Sequence, residues 1–251
     1  MHKPLTGRVA LVTGASSGIG EATALALAAA DARVAVSGRR GDRLEALVEK
    51  IKATGGDGIA LAGDVTDEEV ARNTVRQTVS RLGRIDILVN SAGSIQPGGI
   101  ENANIKYWRA LMELNFFATL YTCTEAVTHM RQQGSGDIIN ISSTAGRVAR
   151  APMSAYTSSK FALAGMSETL RQEVAPHGIR VCVIQPGATS TEISEQIEDE
   201  GMREFMRQHI NREGAMQAQD IAAAIMLAVT LPRRANIAEM LILPTTDTRP
   251  M

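Results

Sequence analysis

Thr13-Gly14-Ala15-Ser16-Ser17-Gly18-Ile19-Gly20 follows the apolar run Val9-Ala10-Leu11-Val12 and leads into an alanine-rich stretch. The order is strand, glycine-rich turn, helix. Gly14 permits the tight turn, Gly18 lets the backbone approach a pyrophosphate, and Gly20 lets the helix pack close to the strand. The start of such a helix offers free N–H donors and a partial positive charge, which suit an anion. Ser16, Ser17 and Ile19 fill the rest of the turn.

Outward from this turn, short β-rich runs alternate with helical patterns. The runs are 8–13, 33–37, 57–61, 86–90, 137–142, 180–185 and 239–243, and the helical stretches are 20–30, 42–53, 67–82, 105–131, 154–175 and 218–231. Repeated βα units with continuous apolar strands predict an α/β fold, a doubly wound, seven-stranded parallel sheet with helices on both faces. No linker divides the chain, so 1–251 reads as one domain. One charged, Met-containing insertion, about 188–214, breaks the alternation at a strand's C-terminal end, where such folds place ligands.

Composition narrows the class. Of 251 residues, 44% are hydrophobic and 3% aromatic, and 26 Lys and Arg against 27 Asp and Glu leave a net charge of −1. That balance gives no electrostatic reason to expect nucleic acid or an anionic membrane as partner. Cys123 and Cys182 read as two small buried thiols, and no metal-ligand spacing is present. The apolar run 221–231 is too short to span a bilayer, and a soluble, cytoplasmic protein is expected.

Further motifs follow in order: Asp64, Asn90-Ser91-Ala92-Gly93, Asn115, Ser143, Tyr156 with Lys160, and Pro186-Gly187. With the spacing G-x-x-x-G-x-G at Gly14, Gly18 and Gly20, the whole chain resembles the short-chain dehydrogenase/reductases of about 250 residues. Two small-for-small departures occur: Asn-Ser-Ala-Gly stands for the usual Asn-Asn-Ala-Gly, and Ala118 stands where Gly is frequent. The resemblance implies a Rossmann fold and a nicotinamide cofactor.

The end of the second strand bears on which cofactor. An NAD binder places a carboxylate there for the adenosine ribose, but the matching position is Gly38, followed by Arg39 and Arg40. Guanidinium groups grip a 2′-phosphate or stack on adenine, so the expected cofactor is NADP(H). Small residues Ala92 and Gly93 let the fourth strand's end approach the ribose, and Asn90 braces that loop. The resemblance implies that Asp64 accepts from the adenine amino group with help from the Val65 backbone. Capping of the next helix is the other reading for Asp64, and Asp67 is also placed for it.

Tyr156 and Lys160, four apart on a helical stretch, share one face. Reduction of a carbonyl leaves an alkoxide that needs a proton, and a tyrosine with its pKa near ~10 transfers one poorly at neutral pH. A neighbouring ammonium favours the phenolate, so Lys160 is expected to lower that pKa and to hold the nicotinamide ribose. Ser143, thirteen residues before Tyr156, can donate to the carbonyl oxygen. Ser142 is its rival, because adjacent strand residues face opposite ways, and the interval that the family resemblance implies favours Ser143. For Asn115 the resemblance implies a water link from Lys160, with a helix kink or cap as the alternative. It also implies that Pro186 and Gly187 lead a loop in which Thr189 and Thr191 meet the carboxamide.

The expected activity is an NADP(H)-dependent alcohol dehydrogenase or carbonyl reductase acting on a small to medium aldehyde, ketone or alcohol. A cofactor-binding sensor or scaffold without turnover is the alternative. The chain end Met240-Leu241-Ile242-Leu243-Pro244-Thr245-Thr246 lacks the Gly-Gly of 3-oxoacyl-carrier-protein reductases. That ending, together with residues 167–174 and 219–222, is more similar to 3-hydroxy acid (serine) dehydrogenases and clavulanic aldehyde reductases. The resemblance further implies a homotetramer. In the insertion, Ile193 with Ile197, and Met202, Phe205 and Met206, mark two apolar clusters. A break at Gly201, hinges at Gly187 and Gly214 and a solvent side of Glu192, Glu195, Glu198, Asp199 and Glu200 complete the expected substrate lid.

Overall fold

A computed structural model describes residues 3–101, 103–197 and 199–248, with backbone alone for 209–213. Seven parallel strands form one sheet: β1 (Val9–Thr13), β2 (Arg33–Gly38), β3 (Asp57–Ala62), β4 (Ile87–Asn90), β5 (Gly136–Ile141), β6 (Ile179–Pro186) and β9 (Glu239–Ile242). Their order across the sheet is β3-β2-β1-β4-β5-β6-β9. The order reverses between β1 and β4, and such a switch opens a crevice at the strand C-termini. A second, parallel pair of two-residue strands, β7 (Thr189–Ser190) and β8 (Met216–Gln217), ties the two ends of the insertion together.

The helices are α1 (Gly18–Ala29), α2 (Gly41–Ala53), α3 (Glu68–Leu82), α4 (Ile105–Met112), α5 (Ala118–Gln133), α6 (Ser154–Val174), α7 (Glu200–Glu213) and α8 (Ala218–Thr230). Alternating strand residues feed two cores. Ala10 and Val12 pack with Leu27, Leu44 and Ile225 on one face. Val9 and Leu11 pack with Val75, Met130 and Val174 on the other. The strands therefore read as unbroken apolar runs because both faces are covered. Cys123 and Cys182 lie inside these two cores, and burial pushes both thiols up to about 12.

Two expectations change here. The stretch 105–131 is not one helix: a π-helical turn, Glu113–Phe117, separates α4 from α5. The wider turn inserts a residue and swings Asn115 inward, to 1% exposure. The first helix begins at Gly18 rather than Gly20, because the turn itself winds into it. At α3, Asp67 is the cap, accepting from the Val70 N–H at 3.0 Å. That removes the capping alternative for Asp64, whose carboxylate instead accepts from Thr66.

At the opposite end of the sheet, the buried Asp137 carboxylate gathers three guanidinium groups. Arg180 reaches it at 2.6 Å, Arg233 at 2.9 Å, and Arg8 also contacts it. Arg180 donates in addition to the carbonyls of Leu231 and Ala235, so this cluster clamps the α8–β9 connection to the sheet. Among the described residues, no helix is long and apolar enough to cross a membrane.

Candidate active site

The turn after β1 forms a close-packed glycine cradle. An added Cβ at Gly20 would stand 2.4 Å from the Gly14 carbonyl oxygen, and one at Gly14, where φ is +64°, would meet the Ala92 nitrogen at 2.6 Å. Only glycine fits at either position. Ser17 caps α1 with extended backbone but makes no side-chain cap bond, which leaves the first N–H groups of α1 for a ligand. Its hydroxyl accepts from Arg40 at 2.8 Å, and Ser16 accepts from the same guanidinium at 2.9 and 3.1 Å. Arg39 is exposed at the cavity wall and makes no hydrogen bond or ion pair among the described residues.

A cavity of about 580 Å³ runs from this corner to the far side of the sheet. Its wall includes Gly14, Ser16, Ser17, Gly18, Ile19, Arg39 and Arg40 at one end. Asp64, Val65, Ala92 and Gly93 line its middle. Ser143, Tyr156, Lys160, Pro186, Gly187, Thr189 and Thr191 line the other end. Gly20, Asn90 and Asn115 stand behind the wall rather than in it. Gly20 acts through backbone packing. Asn90 donates to Asn140 at 2.9 Å and accepts from Thr122 at 2.7 Å, so it braces the β4–β5 junction.

Asn115 holds the loop after β4. Its Oδ1 accepts from the Ser94 N–H at 2.9 Å, and its Nδ2 donates to the Ser94 carbonyl and to Ser159 Oγ, both at 3.0 Å. Ser159 in turn donates to the Tyr156 carbonyl at 2.7 Å. The π turn thus connects the β4 loop to the first turn of α6. Ser94 and Ser159 went unread in the sequence. Ser159 lies three residues after Tyr156, and that helical spacing was its available signal.

Ser143 lies beside the Tyr156 hydroxyl and draws its pKa down, while the Ser143 Oγ accepts from the Ala145 N–H at 3.1 Å. The Ser142 hydroxyl turns the other way and donates to the Lys160 carbonyl at 3.3 Å, so the two serines separate as strand geometry requires. Lys160 is 5% exposed, and its ammonium donates to the Ile141 carbonyl at 2.9 Å. Burial lowers it to about 8. Burial also pushes the Tyr156 hydroxyl above its ordinary value, against the opposing pull of Ser143. The expected lowering of Tyr156 by Lys160 is therefore not met. Loss of solvent penalises both charged forms, and for Tyr156 the opposing pull comes from Ser143.

The insertion folds as a 3₁₀ turn, Glu192–Gln196, followed by α7. The break does not fall at Gly201: Ile197 ends the 3₁₀ turn, Asp199 caps α7 by accepting from the Met202 N–H at 2.7 Å, and Gly201 lies inside the helix. Ile197 packs with Ile95 and Tyr156, and Ile193, Met202 and Met206 join them. Phe205 is not in that cluster; it is 54% exposed at the cavity wall. Glu192 does not simply face solvent but pairs with Arg40 and Arg43. Glu198 lies outside the described residues. Gly214 ends α7 in the left-handed region at φ +67°, and the Gly187 N–H is held by the Ile242 carbonyl at 2.8 Å. Met153 also lines the inner wall and carried no sequence signal.

The glycine cradle, the free α1 N–H groups and the guanidinium pair fit a phosphorylated dinucleotide lying along this cavity. Among the described residues, no group of three His, Cys, Asp or Glu is placed to hold a metal ion.

Residues 8–201 match the family model described as short chain dehydrogenase. A 3-oxoacyl-[acyl-carrier-protein] reductase of Synechocystis is 35% identical over 235 residues, 93% of each chain. Glycine betaine reductase of Emericella nidulans is 36% identical over 243 residues, which are 96% of this chain but 19% of that protein. The crystal structure of a metagenomic short-chain oxidoreductase in complex with NADP is 31% identical with a TM-score of 0.82, covering 96% of this chain and 99% of the other. A short-chain type dehydrogenase/reductase from Mycobacterium marinum is 29% identical with a TM-score of 0.89, covering 99% and 98%.

Proposed function

The chain belongs to the short chain dehydrogenase family, and from that membership we infer that it is an NADP(H)-dependent oxidoreductase interconverting a small to medium aldehyde or ketone and the matching alcohol. The observation that carries this reading is the single cavity joining Arg39 and Arg40 to the Ser143–Tyr156 pair. One end suits a 2′-phosphate and the other an oxygen that gains or loses a proton.

When bound, the nicotinamide supplies or accepts the hydride. The chain's own groups do the rest. Gly14 to Gly20 and the α1 N–H groups take the pyrophosphate, and Arg39 and Arg40 take the 2′-phosphate. Asp64 and Val65 face the adenine, and Thr189 and Thr191 face the carboxamide. Tyr156 gives its hydroxyl proton to the oxygen of the reduced carbonyl, and takes it back from the alcohol in the reverse direction. Ser143 donates to the same oxygen as charge develops there.

Lys160 holds the ribose hydroxyls and favours the phenolate as Tyr156 releases its proton. Asn115 fixes the β4 loop and the start of α6, and so positions Lys160 and Tyr156. The apolar inner wall of Ile95, Met153, Ile193, Met202 and Met206 sets the substrate's body and excludes water. Glycine betaine reductase and 3-oxoacyl-carrier-protein reductase stand among the relatives, so carbonyl reduction is the direction favoured. A homotetramer, the arrangement the family resemblance implies, is the expected assembly, and the working compartment is the cytoplasm.

Oxidation of NADPH against a panel of aldehydes, ketones and 3-oxo acids tests the reading. Turnover with at least one class is expected. Tight NADPH binding with no turnover on any of them would replace the enzyme reading with a sensor.

A further inference from the structure

Glu192 bridges two parts of the chain that a dinucleotide would also bridge. Its Oε2 lies 2.9 Å from Arg40 Nη1, and both its oxygens lie 2.8 Å from Arg43 Nη1. Arg40 stands at the β2–α2 corner and Arg43 in the first turn of α2. Glu192 opens the 3₁₀ turn of the insertion, some 150 residues further along the chain. We propose that Glu192 is a built-in competitor for the 2′-phosphate of NADP(H), and that the arriving phosphate takes Arg40 from it and unfastens the insertion from the β2–α2 corner. The inference rests on the reading of this corner as the 2′-phosphate site.

Four observations support it. Arg40 is pinned from behind, its Nε and Nη2 donating to Ser16 and Ser17, so Nη1 is the nitrogen left for an incoming anion. Glu192 now occupies that nitrogen. Two carboxylate oxygens meet two guanidinium groups, as two phosphate oxygens would, and a phosphate brings more charge and a third oxygen.

The charges also fit. Arg40 and Arg43 share one carboxylate, a surplus of one positive charge, and Arg39 stands exposed at the same cavity wall, so the corner as a whole favours an incoming anion. The two arginines hold Glu192 below the usual carboxylate range, so the competitor is ionised at neutral pH.

The contact can be displaced. The side chains of Arg40, Arg43 and Glu192 are 40%, 45% and 46% exposed, and exposed bridges of this kind are weak.

Finally, the tethered segment reaches the chemistry. One residue beyond Glu192, Ile193 packs against the cluster of Ile95, Tyr156 and Ile197. A change at the phosphate corner is thereby felt beside the catalytic tyrosine. The same connection gives the phosphate a route to the substrate wall, since Ile193, Met202 and Met206 form it.

The test is calorimetric titration of the wild type, Glu192→Gln and Glu192→Asp. The probes are adenosine 2′,5′-bisphosphate, 5′-AMP, NADPH and NADH. Glu192→Gln should tighten the bisphosphate and NADPH by about threefold to tenfold and leave 5′-AMP and NADH within about twofold, as expected for loss of a weak exposed competitor. Glu192→Asp, which keeps the charge, should stay nearer the wild type. An unchanged or weakened affinity of Glu192→Gln for the bisphosphate overturns the proposal, the latter by making Glu192 a support for Arg40. A wild type that binds NADH as tightly as NADPH would instead overturn the cofactor reading itself, and the two failures are told apart by the wild-type titrations alone.

Discussion

The Lys160 ammonium nitrogen stands 5.7 Å from the centre of the Tyr156 ring, with its hydrogen bond directed to the Ile141 carbonyl at 2.9 Å. The two side chains share a face of α6 yet do not touch through their polar atoms. Tyr156 turns to Ser143, and Lys160 turns to the end of β5. The proton-handling atom and the cation are thus fixed by different partners, and substitutions should separate their effects.

Tyr156→Phe removes the hydroxyl and keeps the ring among Ile95 and Ile197. Turnover should fall by more than tenfold while the Kd for NADPH stays within about twofold, since only the transferable proton is lost. Steady-state rates with a parallel binding titration check this. A variant keeping more than about a tenth of kcat would show that another group supplies the proton.

Lys160 is buried with its folded value lowered from 10.5 to about 8. Between those values the unfolded chain holds the proton and the folded chain does not, so this group makes stability rise with pH across the window. Lys160→Met lacks the effect. Its melting temperature relative to the wild type should therefore be highest near pH 7 and decline towards pH 10, while activity is lost throughout. A difference that grows with pH in favour of the variant would contradict the assignment.

Arg39→Ala removes an exposed guanidinium from the cavity wall. The KM for NADPH should rise by about tenfold or more, as for a lost charge-assisted contact, with little change for NADH. Equal effects on both cofactors would remove Arg39 from the 2′-phosphate site.

Asp137 is 1% exposed and Arg180 7% exposed. Asp137→Ala leaves the arginine's charge buried without its partner, which should cost about 3–5 kcal/mol of stability in urea unfolding. Because the cluster lies at the sheet end away from the cavity, the folded fraction should keep the wild-type KM. A loss below about 1 kcal/mol would mean that water reaches the arginines and replaces the carboxylate.

Trypsin should cut the insertion at Arg203 or Arg207 on α7 in the free enzyme. Arg212, a third target, lies outside the described side chains. Arg207 is held by Glu195, and Arg203 by the Ile197 carbonyl at 3.0 Å, contacts at the helix surface. NADPH and a carbonyl substrate together should slow cleavage by closing the apolar wall over the ligand. Equal cutting rates with and without ligands would make the insertion a static surface element.

The sequence by itself determined the parallel sheet and the glycine turn, and its spacing and family resemblance pointed to Ser143, Tyr156, Lys160, Arg39 and Arg40, which all line one cavity. The sheet and the turn rest on local signals: strand hydrophobicity and turn chemistry act over a few residues and survive without tertiary context. Only the tertiary structure decided the strand order, the π turn that turns Asn115 towards Ser94, the three arginines on Asp137, and the Glu192 bridge to Arg40 and Arg43. Each joins residues far apart in the chain, and no periodicity encodes such a meeting. The direction of the Tyr156 and Lys160 shifts belongs to the same class. Spacing gave their proximity, but burial, a property of the packed chain alone, set which charged forms are disfavoured.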